Sequence, residues 1–203
     1  MAYFISRLIF KLILKTFFRF EVIGRQNIPE KGPFIMAANH VSYADPVILG
    51  VACNTGPIAF IAKRELFDLP VTGAWFKAVG CIPLDRTSMS ITALKMTLQR
   101  LRKGGAIGIF PEGRRSLDGE LQKAEPGVGL IAIKSKAPVL PVYISGTDKA
   151  LPIGRRMPVP CKIKARIGKA MNVTEFDGSA AKRECYEKIG EQIMVAINRL
   201  KDI

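Results

Sequence analysis

Phe34-Ile35-Met36-Ala37-Ala38-Asn39-His40-Val41-Ser42-Tyr43-Ala44-Asp45-Pro46 is the stretch on which the fold is decided. Its first five residues form a short apolar run after Gly32-Pro33, the pattern of a buried strand. Asp45-Pro46 opens a helix, because Asp is a good N-cap and Pro is favoured at the first helical position. Between strand and helix lies a polar turn holding the only histidine of the chain. In open α/β sheets, sites form outside the carboxyl ends of strands, where this turn falls.

The same alternation repeats outward. Residues 58–62, 81–84, 106–110, 139–144 and 162–167 read as strands, with Pro83 placing the second at an edge or an end. Residues 66–77, 90–103, 127–135 and 179–200 read as helices. Gly104-Gly105 stops the second of these, and Cys185, Ile189, Ile193, Ala196 and Leu200 mark the inner face of the last. The pattern predicts an α/β fold: a single domain whose largely parallel or mixed β-sheet is covered by helices. A length of 203 residues suits one such domain.

Apolar residues make up 48% of the chain and charged residues 24%, which excludes a disordered chain. The formal charge of +14 points to an anionic partner: nucleic acid, an anionic lipid surface, a phosphorylated substrate or an acidic carrier protein. Aromatic residues are few and are not interleaved with basic ones, which argues against nucleic acid. Four scattered cysteines and one histidine make a zinc site or a disulfide framework a poor fit, and suit free thiols in a reducing cytosol.

In the first twenty residues the only charges are Arg7, Lys11, Lys15 and Arg19, on one flank of a helix whose remainder is apolar. Four buried cations disfavour a transmembrane span, and no cleavage site marks a signal peptide. An interfacial helix with its apolar side in lipid fits best; a helix capping the domain core is the alternative. The uncharged run 46–62 is broken by Asn54-Thr55-Gly56-Pro57, so it too is no span. A peripheral, monotopic protein is the expectation.

Three loops at strand ends carry chemistry. His40 and Asp45 offer a base and a carboxylate that would fix its tautomer, although the plainer alternative makes Asp45 a helix cap and His40 a loop residue. Phe110-Pro111-Glu112-Gly113-Arg114-Arg115-Ser116 offers a glycine for close backbone approach and a guanidinium fork that suits phosphate. Gly80-Cys81-Ile82-Pro83-Leu84-Asp85-Arg86 adds a second arginine. Each arginine alone is commonplace on a surface; three such loops on strand ends are not.

With Val139-Leu140-Pro141-Val142-Tyr143-Ile144, these segments resemble, in order and spacing, the four motifs of glycerolipid acyltransferases. The chain is similar to bacterial 1-acylglycerol-3-phosphate acyltransferases over residues 34–168. The resemblance implies that family's fold and a division into a membrane-associating helix, residues 1–25, and an acyltransferase domain, residues 26–203. It implies His40 as general base and Asp45 as its orienting carboxylate. Glu112, Gly113 and Arg115 become acceptor-site residues with Arg115 on the phosphate, Arg86 a second phosphate ligand, and Lys63 a lysine near the site. Pro141 belongs to a motif with either an acyl-donor or a structural role. Arg114 stands where Thr is frequent in the family. Glu125 stands where relatives often carry a basic residue, a part that Lys123 could take.

The implied reaction moves a fatty acyl group from acyl-CoA or acyl-carrier protein to the free hydroxyl of 1-acylglycerol 3-phosphate, giving phosphatidic acid. No metal or bound cofactor is implied; the thioester is a co-substrate. Its setting would be the cytoplasmic face of the cell membrane. Glycerol 3-phosphate or another lysolipid is an alternative acceptor, and a non-catalytic basic membrane-binding protein is an alternative of another class.

Overall fold

The structure is a computed structural model that describes residues 2–84, 90–152, 154–155, 157–173 and 182–202. Among these, β1 (Glu21–Ile23), β2 (Phe34–Ala38), β3 (Ile58–Lys63), β4 (Ile82–Leu84), β5 (Ala106–Ile109), β6 (Val139–Ser145) and β7 (Lys164–Ile167) form one sheet. Its order is β1-β7-β6-β2-β5-β3-β4. From β6 to β4 every pairing is parallel, whereas β7 runs antiparallel to β6 and β1 follows β7. The carboxyl ends of β2 to β6 therefore share one rim.

Period-two alternation divides the sheet into two buried faces. Met36, Ala38, Leu140, Val142 and Ile144 face α1 (Ala2–Phe17) and α2 (Asp45–Ala52), which contribute Leu14, Ile48, Leu49 and Ala52. Ile35, Ala37, Ile107, Ile109 and Val139 face the other way, onto Ala93, Leu101, Val128, Ile131, Ile189 and Ile193. Those six come from α5 (Ile91–Arg102), α6 (Pro126–Ser135) and α8 (Lys182–Asn198). Burying each aliphatic side chain contributes about 1.5–3 kcal/mol, so this two-sided burial is the main source of stability.

Ser90 caps α5 by accepting from the Ala93 amide, and Gly104 takes a left-handed φ of 77° just beyond it. On α8 the inner face holds Cys185, Ile189 and Ile193 as expected, but Ile197 is fully buried and Ala196 only half so; Leu200 is buried just beyond the end of the helix. At about 100° per residue Ile197 stands about 40° from Ile193 and Ala196 about 60° away on the other side, so the buried stripe follows the i, i+4 row. Residues 179–181 of that expected helix lie outside the described residues.

Gly129 sets how closely α6 and α8 approach: a Cβ there would run into the Tyr186 carbonyl. Gly129→Ala is expected to destabilise the protein by about 1–3 kcal/mol despite the higher helix propensity of Ala. Urea unfolding measures this; an unchanged or raised midpoint would show that the two helices separate at little cost.

Three local readings are corrected. The helix expected over residues 66–77 is two: α3 (Glu65–Asp68) and α4 (Pro70–Val79). Leu69, with φ −75° and ψ 130°, breaks them because a residue before proline is driven out of the helical region. Asp45 is not the N-cap of α2. Ala44 holds that position and Asp45 begins the helix itself, leaving its carboxylate free to turn back. Lastly, residues 21–23 form a strand in register with β7, so the leading helix is Ala2–Phe17 and residues 1–25 also include one strand of the sheet.

Pro141 sits in a central strand, where proline is unusual. Its carbonyl accepts from the Gly168 amide, so its nitrogen also points towards β7. In the β6–β7 register Pro141 falls opposite Gly168, one step before the first pair at Val142, so the donor it lacks is at the end of the ladder.

The outer side of α1 is the least ordinary surface. Phe4, Ile5, Leu8, Ile9, Leu12, Ile13 and Phe17 are each 40–59% exposed. The opposite stripe packs on the core through Leu14 and the half-buried Tyr3 and Phe10, with Phe18 just beyond the helix, so α1 caps the domain core while leaving an apolar side exposed. Arg7 is turned onto the protein, where Nη2 donates to the Val51 carbonyl at 3.4 Å, while Lys11, Lys15 and Arg19 are exposed. Among the described residues no helix is long and apolar enough to cross a membrane.

Candidate active site

The turn after β2 is fixed by main-chain anchoring before any catalytic group is considered. Asn39, 2% exposed, bridges to β6 with its amide: Nδ2 donates to the Ile144 carbonyl at 3.0 Å and Oδ1 accepts from the Ile144 amide at 2.7 Å. The His40 amide donates to Glu112 Oε1 at 2.8 Å, and the His40 carbonyl accepts from the Ser116 amide at 2.8 Å. Ser42 Oγ donates to the Leu151 carbonyl at 2.9 Å. Three separate segments thus hold one short turn.

Within it, Asp45 is fully buried and its Oδ2 lies 2.8 Å from His40 Nδ1. The same oxygen accepts the Val41 and Ser42 amides, both at 2.7 Å. Amides can only donate, so Oδ2 is an acceptor and His40 Nδ1 carries the proton. The lone pair of the neutral ring is then on Nε2, directed away from Asp45. The face of the ring stacks on Phe110, centroids 4.1 Å apart and planes 20° apart, and Phe110 stacks in turn on Phe60. A base with fixed tautomer, fixed plane and a partnered carboxylate can take a proton from a hydroxyl and stabilise the resulting imidazolium.

The loop after β5 brings Glu112, Gly113 and Arg115 to the same place. The Gly113 amide donates to the Phe110 carbonyl at 3.0 Å, closing a tight turn, and Gly113 leaves it with a left-handed φ of 67°. Glu112 is 2% exposed, and both of its oxygens are committed: Oε1 to the His40 amide and Oε2 to the Gln122 amide at 3.1 Å. It acts on the site by holding the histidine's backbone. Arg115 is half-buried, with its guanidinium carbon 3.6 Å from the centroid of the Tyr43 ring. Its Nη1 is buried without a hydrogen-bond partner, whereas Arg114 turns outward to Gln122. Lys63 is exposed at the carboxyl end of β3, on the same rim. Arg86 lies outside the described residues. Lys123 and Glu125 are both exposed.

Burial pushes the Glu112 carboxyl above the ordinary carboxylate value, and the two amide donors pull it back only in part. A raised value in the folded state means that folding favours the protonated form. That contribution is full below the unfolded carboxylate pKa and is lost as pH rises through the folded one. Glu112→Gln cannot ionise. The melting temperature of the wild type relative to Glu112→Gln should therefore fall as pH rises above the ordinary carboxylate range. A difference that stays constant through that rise would contradict it.

Asn39, Phe110 and Tyr43 carry parts of the site that no sequence signal assigned. Phe110 had one available clue, an aromatic residue at a strand end directly before the Pro-Glu-Gly turn.

Comparison with known proteins gives the family and the fold. A model of the acyltransferase family covers residues 19–145, well over half of the chain. A chloroplastic 1-acyl-sn-glycerol-3-phosphate acyltransferase from Brassica napus is 32% identical over 75% of the chain, which spans 44% of that relative. A 1-acyl-sn-glycerol-3-phosphate acyltransferase from Bacillus subtilis is 27% identical over 95% of this chain and 96% of its own. The crystal structure of the 1-acyl-sn-glycerophosphate (LPA) acyltransferase from Thermotoga maritima superposes with a TM-score of 0.78 at 28% identity. That match covers 97% of this chain and 79% of the other. The chain spans less than half of the chloroplastic relatives and nearly all of the Bacillus one. The mixed sheet, the motif loops gathered on one rim and the family match from residue 19 to residue 145 together place this chain in the acyltransferase family.

Proposed function

We propose that this protein transfers a fatty acyl group from a thioester to the free sn-2 hydroxyl of 1-acylglycerol 3-phosphate, forming phosphatidic acid at a membrane surface. The observation that carries this is the pairing of an oriented base, His40 on Asp45, with an arginine whose buried Nη1 has no protein acceptor. Phosphate is the natural partner of such a guanidinium edge. The names of the relatives agree with that acceptor.

In the reaction, His40 Nε2 removes the hydroxyl proton as the oxygen attacks the thioester carbonyl. The C–O bond forms, the C–S bond breaks, and the departing thiolate recovers the proton from the imidazolium. Asp45 steadies that cation while it exists. No enzyme nucleophile is required, because a thiolate leaves readily. Arg115, with Lys63 on the same rim, binds the phosphate and so places the hydroxyl against His40. The seven exposed apolar residues of α1 enter the acyl region of the lipid, with Lys11, Lys15 and Arg19 among the headgroups.

Purified protein in mixed vesicles, given 1-acylglycerol 3-phosphate and either oleoyl-CoA or an acylated carrier protein, should form phosphatidic acid. Comparing the two donors in parallel fixes the donor. Folded protein that makes no product with either donor, yet acylates a lysolipid lacking phosphate, would refute the acceptor assignment.

A further inference from the structure

The exposed aromatic ring at position 43 has no part in the base chemistry, yet it touches Arg115, whose guanidinium the site leaves partly unsatisfied. Tyr43 is 66% exposed and lies on the His40–Asp45 turn. Its ring supports the Arg115 guanidinium from one face, 3.6 Å from the centroid. A cation over a π face is attracted by the ring quadrupole, and stacking leaves the in-plane N–H edge free. That edge includes the buried, unpartnered Nη1.

We propose that Tyr43 is a positioning residue for the acceptor. By stacking on Arg115 it fixes the guanidinium before substrate arrives, and it ties the phosphate-binding loop after β5 to the turn that carries the base. This rests on the acceptor reading of Arg115 given above. An unsupported arginine loses substantial rotamer freedom when it binds an anion, and a pre-stacked one loses less. The tie also has a geometric consequence. The distance between the bound phosphate and His40 is set through one ring contact as well as through the Glu112 and Ser116 anchors. The Tyr43 hydroxyl has no part in this, so only the aromatic face matters.

The test compares Tyr43→Leu, Tyr43→Phe, Arg115→Ala and the Tyr43→Leu/Arg115→Ala double variant. Steady-state kinetics would use 1-acylglycerol 3-phosphate in vesicles, with vesicle binding measured by sedimentation. Tyr43→Leu should raise the acceptor KM about two- to fivefold, with a smaller change in kcat, as expected for losing a cation–π contact at an exposed site. Tyr43→Phe should restore most of the affinity. In the Arg115→Ala background the Tyr43→Leu effect should vanish, because the partner has gone.

A Tyr43→Leu effect that persists undiminished without Arg115 and is accompanied by weaker vesicle binding would overturn the proposal, assigning the ring to the lipid surface instead. So would an unchanged KM in Tyr43→Leu while Arg115→Ala raises it. If Arg115→Ala itself leaves the acceptor KM unmoved, it is the acceptor reading that fails, and the outcome for Tyr43 is separable from it.

Discussion

His40→Ala should lower the turnover number by about 10²- to 10⁴-fold while leaving the melting temperature and vesicle binding near those of the wild type. The expectation of an intact fold is specific to this site. Everything that anchors residue 40 does so through its backbone: the amide to Glu112, the carbonyl to the Ser116 amide. Alanine keeps both. What disappears is the imidazole, its bond to Asp45 and its stack on Phe110. Asp45 keeps the Val41 and Ser42 amides on Oδ2, so its charge is not stranded. The loss should appear in kcat rather than in the acceptor KM, since Arg115 is untouched. Near-normal turnover in a folded His40→Ala protein would remove the base assignment, whatever its effect on stability.

The sequence was informative where one residue type implies one geometry. The apolar run 34–38 could only be a buried strand, and the alternation of strands and helices required parallel crossovers that bring loop after loop to one rim. His40 and Asp45 alone also suited a loop histidine and a helix cap; they stood out only beside the other two strand-end loops, at the spacing of the motifs they resemble. What sequence concealed was direction. Asp45 read as a cap because Asp before Pro usually is one; in the fold its carboxylate points back over the turn instead of forward along α2. The resemblance implied an acceptor-site role for Glu112; what it did not show is that each of its oxygens accepts a backbone amide from a different segment. Partners of that kind are contributed by long-range contacts, 72 residues apart for His40 and Glu112, which no local pattern encodes. β1 was missed for the same reason: three residues with one half-apolar face are a strand only because β7 is beside them.

Asp45→Asn is the substitution that separates orientation from charge here. In many carboxylate–histidine pairs the amide variant turns its NH₂ group towards the ring and enforces the wrong tautomer. At this site three donors, His40 Nδ1–H and the amides of Val41 and Ser42, converge on the single oxygen Oδ2. An NH₂ group placed there would face three donors at once, so asparagine must put its carbonyl oxygen in that position. Its NH₂ then takes the place of Oδ1, which is buried and has no partner in the wild type either. The turn, the tautomer and the direction of Nε2 should all survive. Only the negative charge beneath the developing imidazolium is lost. For a half-shielded pair at this separation that charge amounts to about 3–4 kcal/mol, or roughly 10²- to 10³-fold in kcat. Asp45→Ala, by contrast, should lose stability as well, because it strands two buried amides at about 1–3 kcal/mol each. Kinetics and thermal melts of both variants test the argument together. If Asp45→Asn loses clearly more than about 10³-fold in kcat, charge is not the whole contribution and the amide has flipped the ring. If it retains most of its turnover, the carboxylate acts here as a scaffold, and the imidazolium is stabilised from elsewhere in the site.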